Sequence, residues 1–263
     1  MKIMVLLKQT PDTEAKIKLN ADQSAVDEAG MKFVINPYDE HAVEEALQLK
    51  AKKGAGEVVV VSFAKDSVKE SLLKALAMGA DRAVHIDNSS LKNADSLTIA
   101  KILTQVVKKE EPEIIFCGRH AIDDDNMHVP VMVAEFLSWP HVNVVAKVEY
   151  NDASLKVSRE VEGGQVETYH VKTPVVIGAH KSLNTPRYAS LPGIMKAKRK
   201  PFQKLSLEEL DLNVEELSQG VQTQIKKFNY PPEKPKGKIL KGESLELMVD
   251  KVVTYLKNEA KVL

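Results

Sequence analysis

The sequence predicts an α/β fold: a doubly wound, mainly parallel sheet with antiparallel hairpin strands and an extended C-terminal arm ending in a helix. Three observations lead there. Continuous β-branched runs such as Glu57–Phe63 (EVVVVSF) and Glu113–Cys117 (EIIFC) have the composition of strands buried on both faces. Segments of helical period separate these runs, and strands alternating with helices give right-handed parallel crossovers. After Trp139-Pro140 the rhythm changes to short strands joined by polar or glycine turns, the pattern of antiparallel hairpins.

Lys2–Leu7 is the first strand, closed by the polar turn Lys8–Asp12. Lys16–Leu19 and Ala25–Val26 form a ribbon around an Asn-Ala-Asp-Gln turn. Asn36-Pro37 punctuates the chain, because a residue before proline avoids the helical region. From Tyr38 the period is helical, with Ala42, Val43, Ala46, Leu47 and Leu49 on one face, until Lys52-Lys53-Gly54 ends it. Asp66–Met78 is a second helix stopped by Gly79, Ala83–Ile86 a short strand, Ala94–Lys109 a third helix, and Glu113–Cys117 a strand that exits on Gly118. The hairpin strands are His141–Tyr150, Leu155–Val161, Val166–Val171 and Val175–Gly178, with turns at Asn151-Asp152 and Gly163-Gly164.

The remainder has a different composition. Met195–Lys200 is basic, Gln203–Gln219 is polar, and Asn229–Lys238 carries Pro231, Pro232 and Pro235, which disfavours a local core. Glu243–Lys257 is amphipathic, with Leu245, Met248, Val249, Val252, Val253 and Leu256 on one side. We expect an α/β domain over residues 1–200 and an arm with its helix over 201–263. A lone helix of this length is marginal in water. Its stripe is therefore expected to dock, and a partner chain is the surface that suits it.

Composition excludes several function classes. Lys+Arg and Asp+Glu number 37 each, so the chain lacks the basic excess of an undirected nucleic-acid or membrane-surface binder. Cys117 is the single cysteine, which excludes an internal disulfide and fits a reducing, cytoplasmic compartment. No apolar run approaches the ~20 residues that span a bilayer, and MKIMVLLKQTPD reads as a strand, not a signal peptide.

Ligands of an open α/β sheet bind beyond the carboxyl ends of its strands. Leu6–Lys8, Asn36–Asp39, Ser62–Asp66 and Gly118–Val129 are expected to converge there. The segment Gly118-Arg119-His120-Ala121-Ile122-Asp123-Asp124-Asp125 is the most informative, and it has two readings. It is a phosphate or nucleotide cradle at a helix start, or a solvated acidic loop whose aspartates cap a helix beginning near Asn126. Neither G-x-G-x-x-G nor G-x-x-x-x-G-K-[ST] occurs. The seven histidines lack metal-ligand spacing and no serine lies in G-x-S-x-G, so no metal centre and no catalytic residue is expected. Leu183–Lys200 is either a solvated basic helix after a turn, or an apolar anchor at Leu191-Pro192 ringed by Lys196, Lys198, Arg199 and Lys200.

Several blocks, in order, resemble the β subunit of electron transfer flavoprotein. They are Asn36-Pro37-Tyr38-Asp39, ALAMGADR from Ala75 to Arg82, GRHAIDDD from Gly118 to Asp125, FLSWP from Phe136 to Pro140, and LNTPRYASLPGIMKAK from Leu183 to Lys198. The resemblance implies a sheet of the adenine-nucleotide-binding type and an obligate heterodimer with an α subunit that holds most of an FAD, the flavin ring lying at the subunit junction. It implies an electron carrier, not a substrate-converting enzyme, taking electrons from flavin dehydrogenases such as acyl-CoA dehydrogenases and passing them to a quinone-linked oxidoreductase. Tyr38 stands where an aromatic approaches the ring, and Thr13 where a tyrosine often makes the other contact. Residues 183–200 correspond to the recognition loop, so Leu191, Pro192, Ile194, Met195, Lys196 and Arg199 are the partner-binding residues it implies. The C-terminal arm would wrap the α subunit. No nucleic acid and no membrane insertion are implied.

The family's β subunit usually holds AMP in the strand-end cleft, here formed by Leu6, Asn36, Pro37, Asp39, Phe63, Gly118, Asp123, Asp124, Asp125, Asn126 and Val129. The sequence departs from the pattern at this point. The family typically continues Asn-Gln-Thr-Gly, whereas this chain has Asn126-Met127-His128-Val129-Pro130, which removes a hydroxyl and a backbone N–H. Leu6 and Phe63 replace small residues. We therefore expect little or no AMP, with the cleft partly filled by Leu6, Phe63, Met127 and His128. Two alternatives remain from the sequence. One is a bifurcating member with a second FAD here, which Asp124, Asn126 and Pro130 disfavour; the other is a nucleotide-binding sensor of the stress-protein type.

Overall fold

The elements run β1 (Lys2–Leu6), β2 (Gln9–Pro11), β3 (Phe33–Ile35), α1 (Pro37–Lys53), β4 (Glu57–Ala64), α2 (Lys69–Met78), β5 (Arg82–Asp87), α3 (Ser96–Glu110) and β6 (Ile114–Gly118). They continue with α4 (His128–Leu137), β7 (His141–Tyr150), β8 (Ser154–Glu160), β9 (Val166–Lys172), β10 (Val175–Ala179), α5 (Leu191–Ala197), β11 (Phe202–Leu205), α6 (Val214–Gln219) and α7 (Leu245–Asn258). This is a computed structural model that describes residues 1–91, 93–151, 154–234 and 236–263. Pro235 and the second residue of the expected Asn151-Asp152 turn lie outside the described residues.

Among the described residues the sheet has nine strands in the order β11-β5-β4-β1-β6-β10-β7-β8-β9. From β11 to β7 every neighbouring pair is parallel, and β7-β8-β9 is an antiparallel meander. The strand period of two sorts β4 between two cores. Val58 and Val60 pack with α1 and α2, while Val59 and Val61 pack with α3 and α4. This is the doubly wound arrangement that the β-branched runs predict.

Local signals set the helix ends. Pro37 opens α1, whose missing N–H costs nothing in the first turn, and Gly54 closes it at φ 71°, a backbone region that only glycine enters cheaply. Asp95 caps α3 by accepting the Thr98 N–H at 2.9 Å. Its other oxygen accepts the Gln222 and Thr223 N–H groups at 2.8 and 3.1 Å, tying down the chain beyond α6.

The structure differs from the sequence reading in three places. The expected turn Lys8–Asp12 contains β2, which pairs antiparallel with β3. Val175–Ala179 is no hairpin strand: β10 enters the main sheet parallel to both β6 and β7. Four buried hydrophobic residues in five explain it, since a both-faces-buried strand suits the sheet interior better than its edge. The polar stretch after residue 200 joins the fold. β11 extends the sheet beside β5, and Leu205, Leu207, Leu210 and Leu217 are buried. Leucines spaced among charged residues are enough to cover one sheet edge, so the first compact unit runs Met1–Lys226 and the second Lys227–Leu263. Within the second unit, Ser244 caps α7, no residue of which is buried.

Candidate functional site

In sheet order β1 is flanked by β4 and β6, so the chain's crossovers reverse direction at β1, and the crevice opens at the switch point between β1 and β6. Leu6 comes from β1, Lys8 from the segment just after it, Phe63 from β4, Ser96, Ile99 and Leu103 from α3, Gly118 from the end of β6, and residues between His120 and Pro130 from the loop and start of α4. The cavity measures about 140 Å³, below the ~300–1,000 Å³ usual for small-molecule pockets. Phe63, Met127, His128, Val129 and Pro130 all line it.

Its polar groups are largely answered from within the chain. Asp39, buried in the first turn of α1, accepts the Lys8 N–H and the Gly118 N–H at 2.7 Å each. Burial pushes its carboxyl up to about 7, against these two donors and Asn36, which pull the other way. Asn36 donates to the His120 carbonyl at 2.8 Å and accepts the Ile122 N–H at 3.3 Å. Gly118 permits this closeness, since a Cβ there would lie 2.5 Å from Asp39 Oδ1 and 2.7 Å from Tyr38 Cβ. Lys8 Nζ lies 2.8 Å from Asp123 and 2.9 Å from Asp124. Burial lowers the Lys8 ammonium, yet these two carboxylates outweigh it and the net direction is upward. The aspartates therefore do not cap the helix. α4 starts at His128 behind Met127, which stands at φ 57° and makes no side-chain cap. Burial first, then Asp39, raises the Cys117 thiol well above its ordinary range, which leaves it unreactive.

Beyond the ends of β6 and β10 lies a second group of side chains. The Tyr38 ring is half-buried and sits 4.4 Å from the His120 ring and 6.4 Å from the His180 ring, with the Arg119 guanidinium 5.2 Å from its centroid. A bulge in β7 shapes this region. Val144 is held at φ 60°, a strained position for a β-branched residue. The Asn143 carboxamide lies over Gly178, donates to the Arg119 carbonyl at 3.1 Å, and leaves its buried Oδ1 unpartnered among the described residues. His120 Nδ1 lies 3.0 Å from Arg119 Nε and 3.1 Å from an Asp125 oxygen. Burial and Arg119 lower the His120 imidazole, and Asp125 and Asp124 oppose them. Neither His120 Nε2 nor His180 Nε2 makes a hydrogen bond among the described residues. Thr13 is exposed in the turn after β2.

The third feature is the segment before α5. Arg187 grips Glu44 of α1 through two nitrogens at 2.7 and 2.9 Å, and Asn184 donates to the His41 carbonyl and to Glu45. Above this anchored base Tyr188 is 97% and Leu191 79% exposed, with Ile194 and Met195 beside them. Ser190 caps the short helix by accepting the Gly193 N–H at 3.1 Å. Pro192, Lys196 and Arg199 border the same surface.

Of the residues that sequence reasoning placed in one cleft, the structure brings Leu6, Asn36, Asp39, Phe63, Gly118, Asp124, Asn126 and Val129 together, whereas Pro37, Asp123 and Asp125 do not line it, Asp123 turning to Lys8 and Asp125 to His120. It does not bring Asp66 there. Asp66 lies with His85 and Asp87, where Lys204 Nζ approaches the two carboxylates at 2.6 and 2.9 Å and an ammonium stands where a metal ion would. Arg119 and His120 lie in the segment that sequence reasoning singled out, but His180, Ser182 and Glu160 were missed, because strand pairing brings them to it and no motif marks them.

An electron transfer flavoprotein domain model matches residues 23–210. The chain is 40% identical to electron transfer flavoprotein subunit beta of Bacillus subtilis (strain 168) over 264 residues, covering all of both chains. It is 39% identical over 265 residues to the mitochondrial electron transfer flavoprotein subunit beta of Oryza sativa subsp. japonica, again over the whole of each. The electron transfer flavoprotein subunit beta of Syntrophomonas wolfei is 40% identical over 262 residues, covering 100% of this chain and 98% of its own.

Proposed function

The chain belongs to the electron transfer flavoprotein family as a β subunit, and we propose that it pairs with an α subunit to border the ring of a shared FAD and carry electrons in the cytoplasm. The electrons would come from flavin dehydrogenases, acyl-CoA dehydrogenases among them, and leave to a quinone-linked oxidoreductase. The observation that carries this reading is the Tyr38 group: a half-buried aromatic ring flanked by Arg119, His120 and His180, with the buried Asn143 Oδ1 unpartnered among the described residues, at the C-terminal edge of a parallel sheet. Such a surface fits one edge of a planar heteroaromatic ring and does not enclose it.

FAD, when bound, supplies the redox chemistry. This chain supplies the ring's boundary. Tyr38 excludes water from one side, and Arg119 favours negative charge there. The exposed Leu191, Ile194 and Met195, with Lys196 and Arg199 nearby, suit an apolar anchor with a basic rim for docking a dehydrogenase. The exposed apolar residues of α7, Leu245, Val249, Val252 and Val253, suit docking on the α subunit. Among the described residues no helix is long and apolar enough to cross a membrane.

The Asp39 cleft does not fit AMP well. Its small volume, the Lys8 and Gly118 N–H groups spent on Asp39, and the N–H that Pro130 lacks all count against a phosphate. Co-expression with the α subunit, followed by cofactor release from the denatured complex, tests both points. One FAD per heterodimer and substoichiometric AMP are expected. A colourless complex would overturn the carrier reading, one AMP per complex would overturn the cleft reading, and two FAD would favour bifurcation.

A further inference from the structure

An imidazole packed into a fold with one nitrogen left open can offer that nitrogen to water or to a ligand. His180, at the end of β10, is such a group. Its side chain is 10% exposed, its ring lies 6.4 Å from that of Tyr38, and its Nε2 makes no hydrogen bond among the described residues. The other nitrogen leads to solvent. His180 Nδ1 lies 2.7 Å from Ser182 Oγ, and the Ser182 hydroxyl donates to Glu160 Oε1 at 2.7 Å. The Glu160 carboxylate at the end of β8 is 45% exposed. Each link is of hydrogen-bond length, so the three groups form an unbroken path from water to the Tyr38 face.

We propose that His180 is a redox-linked proton acceptor: when the flavin beside Tyr38 is reduced, His180 takes up one proton from solvent through Glu160 and Ser182. This rests on the reading of Tyr38 as the flavin's neighbour. The two electrons come from a reduced flavin dehydrogenase, and the proton in question comes from water. The accepting ring is the neutral tautomer with its proton on Nε2, toward whose Nδ1 the Ser182 hydroxyl turns from Glu160. Glu160, protonated by solvent, passes its proton to Ser182 Oγ as Ser182 passes its own to His180 Nδ1, where a new N–H bond forms. The product is an imidazolium whose Nδ1–H donates to Ser182, with Ser182 donating to the Glu160 carboxylate, and its second N–H is free to face the reduced ring.

The surrounding charges place His180 at the right threshold. Burial, and then Arg119, Lys181 and His41, favour the neutral ring, while Glu160 alone favours the cation, so the balance lies toward neutral. Negative charge arriving at the flavin tips it. Asp125 and Asp124 face His120 instead, so the two histidines that flank Tyr38 have different counter-ions.

The test is the flavin midpoint potential of the full heterodimer, measured by spectroelectrochemistry from pH 5.5 to 8.5. One extra proton per two electrons changes the reduction equilibrium tenfold per pH unit, ~30 mV. The wild type should show this additional slope over part of the range, and the flavin-loaded fraction of His180→Asn should lose it. Glu160→Gln, an exposed change that leaves the core untouched, should move the steep segment to lower pH because the one favouring charge is gone. A flavin-loaded complex whose slope is the same in wild type and His180→Asn, or whose steep segment does not move in Glu160→Gln, overturns the proposal alone. A complex without flavin overturns the carrier reading and this one with it.

Discussion

Tyr38 and Asp39 are consecutive in the chain, yet they head two regions of opposite character. Asp39 turns inward, and around it nearly every polar group is answered by another group of the same chain: two backbone N–H groups on its carboxylate, Asn36 on the loop, Lys8 on Asp123 and Asp124. Tyr38 turns outward into a set whose Asn143 Oδ1 and imidazole Nε2 atoms have no partner among the described residues. A region that satisfies itself is a latch. One that does not is waiting for something, and the same trait recurs in apolar form at α5 and, in the second unit, along α7. The comparison is sharpest where one variant should disturb only one side.

The largest effect is expected on the latched side. Asp39→Ala leaves two buried N–H groups without an acceptor, at roughly 1–3 kcal/mol each, so urea unfolding should show a loss of about 4 kcal/mol. The titration of Asp39 adds a pH signature. Its folded carboxyl stands at about 7, above the ordinary 3.8 of the unfolded chain. Between those values the folded state holds more protons, so stability falls as pH rises through the window and levels off above it. The slope is at most ~1.4 kcal/mol per pH unit, and Asp39→Asn should flatten it. A wild-type profile parallel to that of Asp39→Asn from pH 4 to 7 would remove Asp39 from the latch.

The next effect tests the open side. Deleting residues 243–263 removes the exposed stripe of α7. Each such residue is worth ~1.5–3 kcal/mol when fully buried, and ordering costs absorb much of the total. About 3 kcal/mol should remain, a heterodimer roughly a hundredfold weaker. Sedimentation at falling concentration reads it, and an unchanged dissociation constant would leave α7 without the partner assigned to it.

The latch and the open face differ in how far the sequence disclosed them. The strands were legible because β-branched runs have few other uses, and the cleft was legible because Gly118 ends such a run. The role of Asn36 and Asp39 was not. Sequence shows that two polar residues precede a helix, but only the parallel pairing of β1 with β6 reveals the N–H groups they meet. The same holds for His120 and His180, 60 positions apart, which become neighbours because β10 pairs in parallel with β6. β11 was hidden for another reason. At a sheet edge one buried leucine in four residues suffices, and that pattern does not differ from an exposed linker.

The third prediction isolates the tip of the α5 segment. Leu191→Ala removes an exposed anchor, and truncating such a residue costs ~2 kcal/mol at a hot spot. The apparent KM for a dehydrogenase partner should rise about thirtyfold, with flavin content and thermal unfolding unchanged. Wild-type kinetics would reduce Leu191 to a surface residue.

The smallest effect separates the anchor from the helix that presents it. Ser190 caps α5 through the Gly193 N–H at 3.1 Å, and in a helix of only seven residues, whose Gly193 packs close to Ala77 of α2, this cap is one of few contacts on the first turn. Removing an N-cap costs ~1 kcal/mol, and that cost falls on α5 rather than on the interface itself. The base of the segment stays fixed, because the pairs Arg187–Glu44 and Asn184–Glu45 do not involve Ser190. Ser190→Ala should therefore fray the first turn, let Leu191 wander, and weaken docking by no more than about fivefold. Ser190→Thr, which keeps the hydroxyl, should restore it. If Ser190→Ala weakens docking as much as Leu191→Ala and Ser190→Thr fails to rescue it, Ser190 touches the partner directly and the cap is incidental. If Ser190→Ala has no effect, the anchor needs no helix to hold it, and the rigid base at Glu44 and Glu45 alone sets its position.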